Sequence, residues 1–391
     1  MRRYAFWALL VVAVLLVFTG CAAPAPPTEP AAPPTEPSSI IPEEPPGRYA
    51  QPNPLWGIGI KPDGTRYEFS HAFYGYMNEW AILSELITES LFSRAAANCT
   101  TYNPALNATR QMGIVEDITT LGSDGLLIAP LDSAGVAPAV DKCLAAGSPV
   151  FAYDMAIYSE TPTTFFVSVD QFEMGRVTGQ YLVDWANENG QDLYVYELWG
   201  DMAMEGSQRR HDGLRSATDN QPRIKEVIES PDLKWLEATD DILDAFTTHP
   251  NLNAIMSQGD YEPSVIAALD TLGRLYPKGH PEHVVVAVAD AHVTGREPIR
   301  EGYIDGAATH SSWELCDAAV KAALLYVCLG EPIPDEVTLP TVWYTWETYD
   351  VNPFGMPKAW QNMWLEEPFV DKWPLLDLEQ WGIPTPTLDM S

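Results

Sequence analysis

Asp154, Asp260 and Asp290 each sit just past a short apolar run, Pro149–Tyr153, Leu252–Ser257 and His283–Ala289. An ionised carboxylate so placed can accept two or more hydroxyl hydrogens, each charge-assisted bond contributing roughly 1.5–3 kcal/mol. Arg209 adds a planar fork of donors suited to ring or hydroxyl oxygens. Tyr74, Tyr76, Trp80, Trp199 and Trp313 offer flat apolar faces. Carboxylates, a guanidinium and aromatic rings together suit a small polyhydroxylated ligand. The same aspartates could instead cap helices, since strand-to-helix turns favour Asp. Trp80 and Trp313 could be core, Asn78 an N-cap, and one of Arg209 and Arg210 a partner for Glu205 or Asp212.

Catalytic patterns are missing. There is no Gly-x-Ser-x-Gly, no His-Glu-x-x-His and no Walker loop, and the seven histidines form no ligand set by spacing. The expectation is a chain that is not an enzyme and needs no cofactor and no metal. The formal net charge of −32 disfavours a phosphate backbone, hence no nucleic acid as partner.

The elements that must position these side chains alternate. Strand-like runs are expected at 67–71, 99–103, 125–130, 149–154, 193–198, 223–228, 252–257, 283–289 and 304–309. Helical periodicity is expected at 78–97, 106–121, 134–147, 171–189, 207–219, 240–248, 263–275, 297–301 and 313–329. Such alternation predicts an α/β fold of parallel sheets covered on both faces, built as two doubly wound lobes. Ligands then bind beyond the carboxyl ends of the strands. Those ends carry His71, Asp132, Asp154-Met155, Trp199, Gln258-Gly259-Asp260, Asp290 and Thr309-His310.

Seven segments in order carry a resemblance: Gly122–Ser133, Val136–Val140, Ala145–Val150 with Tyr153-Asp154, Val167–Asp170 with Gly175 and Gly179, Gly206–Gly213, Ser257–Asp260 and Val288–Asp290. Over about residues 67–345 the chain resembles the periplasmic sugar-binding proteins of the ribose and galactose class, the type I substrate-binding parts of ABC importers. The resemblance implies two lobes joined by a three-strand hinge, closing around a ligand, with crossings near Val167–Val169, Thr309–Ser311 and Leu339–Val342. It places the hydroxyl-binding aspartates at Asp154 and Asp290. The binding arginine falls at Gln208 or Arg209, and an asparagine-aspartate pair falls on Gly259-Asp260. A glutamine of the family falls on His310, an arginine on Met155, and two aromatic residues fall near Tyr74, Tyr76 and Trp80. His71, Asn78 and Trp313 complete the expected lining. Met155, Gly259 and His310 depart from the family pattern and bear on which ligand is taken.

The implied partners are a small polar ligand, a monosaccharide by preference, and a membrane permease of the ABC type, with the protein itself a monomer. A nucleoside or an amino acid remains open as ligand. A ligand-sensing lobe for a membrane signalling protein and a surface carbohydrate-active enzyme are the alternative roles.

The N-terminal residues read as targeting sequence. Arg2 and Arg3, an apolar run over 5–18 and Thr19-Gly20-Cys21 predict a signal peptide over 1–20 and a lipobox-like site. Acylation at Cys21 would bind membrane lipid and hold the chain on the outer face of a bacterial cytoplasmic membrane. The Pro-Pro-Thr-Glu-Pro units at 26–30 and 33–37 predict an extended tether over 21–50. One lobe is expected from 51–167 plus 311–340, the other from 168–310 plus 341–391 with an aromatic-rich tail. Cys316 and Cys328, about 18 Å apart on one helix, cannot pair, and mostly buried free thiols are expected.

Overall fold

The computed structural model describes residues 55–76, 79–230, 238–259, 261–291, 293–310, 312–339 and 341–345. Cys21, the tether, Asn78, Asp260 and the tryptophan-rich tail lie outside the described residues, as does the side chain of Trp313.

Two six-stranded sheets form the two lobes, in the orders β11-β5-β4-β3-β1-β2 and β12-β10-β9-β8-β6-β7. The first uses β1 (Glu68–Ala72), β2 (Asn98–Tyr102), β3 (Gly125–Ile128), β4 (Val150–Tyr153), β5 (Phe165–Val169) and β11 (Glu336–Leu339). The second uses β6 (Leu193–Leu198), β7 (Ile224–Ser230), β8 (Ala254–Ser257), β9 (Val285–Ala289), β10 (Gly306–Thr309) and β12 (Val342–Thr345). Every residue of β3, β4, β8 and β9 is buried. That explains their unbroken apolar runs, since a parallel strand covered on both faces has no polar side.

The helices are α1 (Glu79–Arg94), α2 (Ala108–Leu121), α3 (Ala137–Ala145), α4 (Gln171–Asn189), α5 (Glu205–Thr218), α6 (Thr239–Thr248), α7 (Glu262–Thr271), α8 (Val293–Glu301) and α9 (Ser312–Ala323). Local chemistry marks their ends. Asn107 and Asp170 accept from the Arg110 and Glu173 amides at the starts of α2 and α4. Gly122 and Gly190 close the same helices in the left-handed conformation, φ 80° and 63°.

The sheet orders correspond position by position, β1 to β6 through β5 to β10, with β11 matching β12. The match breaks at one edge: β11 pairs parallel with β5, whereas β12 pairs antiparallel with β10. The second sheet is therefore mixed rather than purely parallel, as the alternation had suggested. The chain passes between the sheets three times, from β5 into α4, from β10 into α9 and from β11 into β12. The helix expected over 313–329 is α-helical only to Ala323; a π-helical stretch, Leu324–Leu329, completes it. The four described cysteines are unpaired, Cys143 and Cys316 buried, Cys99 and Cys328 half-buried. Among the described residues no helix is long and apolar enough to cross a membrane.

A buried ion pair fastens the second lobe. His283 Nε2 lies 2.9 Å from Asp305 Oδ2, and Asp305 also accepts from the Val286 amide and the Tyr181 hydroxyl. Burial lowers the His283 pKa, but the Asp305 carboxylate more than offsets it, and the net shift is upward. The stabilisation from the protonated pair is fully present below the unfolded value of about 6.5. It is lost as pH rises through the raised folded value. The stability gap between wild type and His283→Gln should therefore narrow from pH 6 to pH 9 in thermal melts. A gap that widens with pH would contradict the pair.

Candidate functional site

The two doubly wound sheets set their ligand-facing edges toward each other. Asp154 ends β4 and Asp290 ends β9, the corresponding strand of the other lobe. Both adopt positive φ, 70° and 78°, a conformation uncommon for residues with a Cβ but less so for Asp. Each donates its amide to the neighbouring strand, Asp154 to the Val167 carbonyl at 2.8 Å and Asp290 to the Ala308 carbonyl at 2.6 Å. Neither residue starts a helix: β5 follows Asp154, and α8 begins at Val293. Two left-handed aspartates at equivalent positions mark a place where backbone strain of order 1–3 kcal/mol serves to aim a side chain.

His310, on the second crossing, stands between them. Its Nε2 is 3.7 Å from Asp154 Oδ1 and its Nδ1 is 3.3 Å from Asp290 Oδ1. Tyr74 donates a hydrogen bond to Asp154 Oδ2. Burial raises the Asp154 pKa, opposed by His310 and by the Tyr74 hydrogen bond. Trp80 forms an aromatic wall, with ring centroids 5.8 Å from Tyr74, 6.2 Å from Tyr153 and 6.0 Å from His310. From the second lobe Arg210 Nη2 donates to Asp290 Oδ2 at 2.8 Å, while Arg210 Nε donates to Gln171 Oε1 at 2.8 Å. Asp154 Oδ1, both His310 nitrogens and the indole nitrogens of Trp80 and Trp199 are buried without a hydrogen-bond partner. Buried polar groups of this kind are normally satisfied, so the cluster is built to meet something polar.

The expected lining is met unevenly. Tyr74, Trp80, Asp154, Asp290 and His310 come together. Met155 is buried, and its Sδ lies 2.6 Å from where a Cβ on Gly206 of α5 would stand, so it fills the contact between lobes instead of offering a donor. Gly259 has φ 89°, and a Cβ there would come within 2.8 Å of the Asp290 carbonyl. Asparagine at that position would press on the loop carrying Asp290, a steric reason for the departure.

Four residues of the expected lining stand apart from the cluster. The arginine that reaches the cluster is Arg210, 2% exposed, and not Arg209. The Arg209 side chain is half in solvent, pairing with Glu205 at 3.4 Å and Asp170 at 3.8 Å. Gln208 turns outward and donates to the Met202 carbonyl. Tyr76 is 53% exposed and donates to Glu85. His71 stands behind the site, bonded to the Tyr153 hydroxyl at 2.7 Å, its pKa lowered by burial to about 3. Two further residues shape the site: Gln171, which orients Arg210, and Gln111, whose amide donates to the Phe73 and Ala129 carbonyls and ties together two strand ends. A buried polar residue on an otherwise ordinary helix was the available signal for both.

Comparison with known proteins follows the same geometry. A family profile described as periplasmic binding protein domain matches residues 76–332. The ribose import binding protein RbsB of Escherichia coli is 24% identical over 196 residues, 50% of this chain and 63% of that protein. The multiple sugar-binding periplasmic receptor ChvE of Rhizobium radiobacter is 25% identical over 211 residues, 49% and 58% of the two chains. The match thus spans less than two thirds of either relative. Among solved structures, a Mycobacterium smegmatis protein in complex with β-D-fucofuranose superposes with a TM-score of 0.68 at 17% identity, covering 75% of this chain and 96% of that one. A galactofuranose binding protein gives 0.67 at 18%, covering 73% and 96%. These likenesses show the fold: two α/β lobes with parallel sheets.

Proposed function

We propose, for a chain that belongs to the periplasmic binding protein domain family, that it captures a small neutral polyhydroxylated molecule, a monosaccharide by preference, between its two lobes and presents it to an ABC importer. The observation that carries this reading is the meeting of Asp154 and Asp290 across His310. Charge argues against an anionic ligand. Arg210 already answers Asp290, so an added negative charge would enter a buried cluster of two carboxylates without its own counter-ion, at considerable cost. Hydroxyl groups, which both donate and accept, suit carboxylate oxygens beside indole and imidazole nitrogens. Trp80 gives the C–H face of a sugar ring a flat apolar partner. The relatives named above are described as ribose-binding and multiple-sugar-binding, which favours the same class. Binding without turnover is the role, and an extracytoplasmic location goes with it. Acylation at Cys21 would hold the protein at the membrane, and one copy suffices for capture.

The test is a thermal-shift screen of the full chain against monosaccharides, nucleosides and amino acids. A ligand at a hundredfold excess over its Kd stabilises the folded state by about 2.7 kcal/mol, a rise in Tm of roughly 4 °C for a body of this size. A pentose or hexose is expected to give that rise and to reduce the radius of gyration in solution scattering, as lobes closing on a ligand would. Stabilisation by amino acids alone, or by no member of the screen, would refute the proposal.

A further inference from the structure

The second lobe carries a carboxylate pair that ordinary sheet design avoids. Glu197 on β6 and Glu229 on β7 are direct partners in the parallel register. Like charges opposite each other on adjacent strands are destabilising. Here one of the two is fully buried, Glu197 being 0% exposed. His211, on α5, brings its Nδ1 to 2.9 and 3.2 Å from the two Glu197 oxygens. One ligand atom from each of Glu197, His211 and Glu229 lies within 4.8 Å of the others. The three grade from buried through half-buried to exposed, so solvent reaches the group from the Glu229 side.

We propose that Glu197, His211 and Glu229 bind a divalent transition-metal ion of the zinc class. Imidazole nitrogen with carboxylate oxygen is the donor set such ions take, whereas calcium and magnesium favour oxygen-only shells with more ligands. Bond lengths of about 2.0–2.2 Å to nitrogen and oxygen require ligand atoms about 3.4 Å apart in a tetrahedral shell. The His211–Glu197 edge must open slightly and the Glu229 edge contract, both within reach of side-chain rotation. Two carboxylates and a neutral imidazole balance the ion's charge, which removes the cross-strand repulsion. The present neighbours supply less. Glu229 has Arg215 Nη1 at 3.5 Å, Glu197 has the Gln258 amide at 3.4 Å, and Arg215 itself turns to Asp219 at 2.9 Å.

The Trp199 ring lies 3.9 Å from the His211 ring, close enough to report on an ion held there.

The test is titration of the full chain with zinc chloride in competition with a chromogenic chelator, repeated for His211→Ala and Glu229→Gln. Each variant should weaken the zinc affinity at least about tenfold. Glu229→Gln alters an exposed side chain and keeps the fold if His211→Ala does not. Copper chloride should quench tryptophan emission in the wild type and do so less in Trp199→Phe. Zinc binding that is equal in wild type and Glu229→Gln, or no binding at submillimolar zinc, would overturn the site. Neither result bears on ligand capture in the cleft.

Discussion

Asp290→Ala is expected to lose ligand-induced stabilisation entirely and to lower the stability of the free protein by about 3–5 kcal/mol, the usual cost of removing one member of a buried pair. The magnitude follows from Arg210. Its guanidinium is 2% exposed, and Asp290 is the carboxylate that it meets at 2.8 Å. Without that carboxylate, Arg210 keeps only the Gln171 bond and a 3.5 Å approach to the Gln258 carbonyl. Alanine is also less tolerant than aspartate of the φ of 78° at this position. The binding loss has a separate origin: two charge-assisted hydrogen bonds to hydroxyls, at roughly 1.5–3 kcal/mol each, correspond to a hundredfold or more in Kd.

Because a damaged fold would also fail to bind, Asp290→Asn separates the two effects. Asparagine keeps the volume and tolerates positive φ, yet removes the charge. It should leave a cooperative melt while weakening the ligand found in the screen at least about tenfold. Calorimetric titration of that variant with unchanged affinity would show that Asp290 organises Arg210 without touching ligand. The site would then have to rest on Asp154, His310 and Trp80 alone.

Much of the framework was legible because both sheets are covered on two faces. Leu193–Leu198 and Gln171–Asn189 could be bounded to the residue, one by an apolar run interrupted at Glu197, the other by an Asp cap and a closing glycine. The aspartates were legible for a related reason, since a carboxylate just past a buried parallel strand stands at the ligand-facing edge. Arg210 was not. On a helix one residue is a rotation of about 100°, and α5 begins at Glu205, two residues before its expected start. The resemblance left the position open between 208 and 209, and it is the packing of α5 against α4 that turns 210 inward. Tyr76 and Gln208 failed similarly, as loop and helix positions whose facing is set by tertiary contact. The antiparallel edge strand β12 carries no local signal of its direction, which is fixed only by the short third crossing out of β11.

Gly213→Ala is expected to be among the most damaging single-methyl additions in the molecule. Helices α4 and α5 touch through glycine. A Cβ on Gly213 would stand 2.0 Å from the Phe172 carbonyl oxygen, and one on Gly175 would stand 1.9 Å from the Arg210 carbonyl oxygen. Both clashes are with backbone, which cannot swing aside as a side chain does. The cost should exceed the 1–3 kcal/mol typical of overpacking, read as a fall in the denaturant midpoint with an unchanged m-value. Gly175→Ala tests the link to function, because the carbonyl it displaces belongs to the residue that pairs with Asp290. Its loss of ligand affinity should be larger than its loss of stability alone would cause. Gly113→Ala provides the contrast. That glycine lies within α2 with open space around it, and alanine should stabilise there by about 0.5–1 kcal/mol. If all three substitutions behave alike, helix propensity rather than close approach governs these positions. The spacing of Gly175 and Gly213, which carries part of the resemblance, would then have no steric cause. If they diverge as expected, those glycines set how near α5 comes to α4, and with it where the Arg210 guanidinium ends.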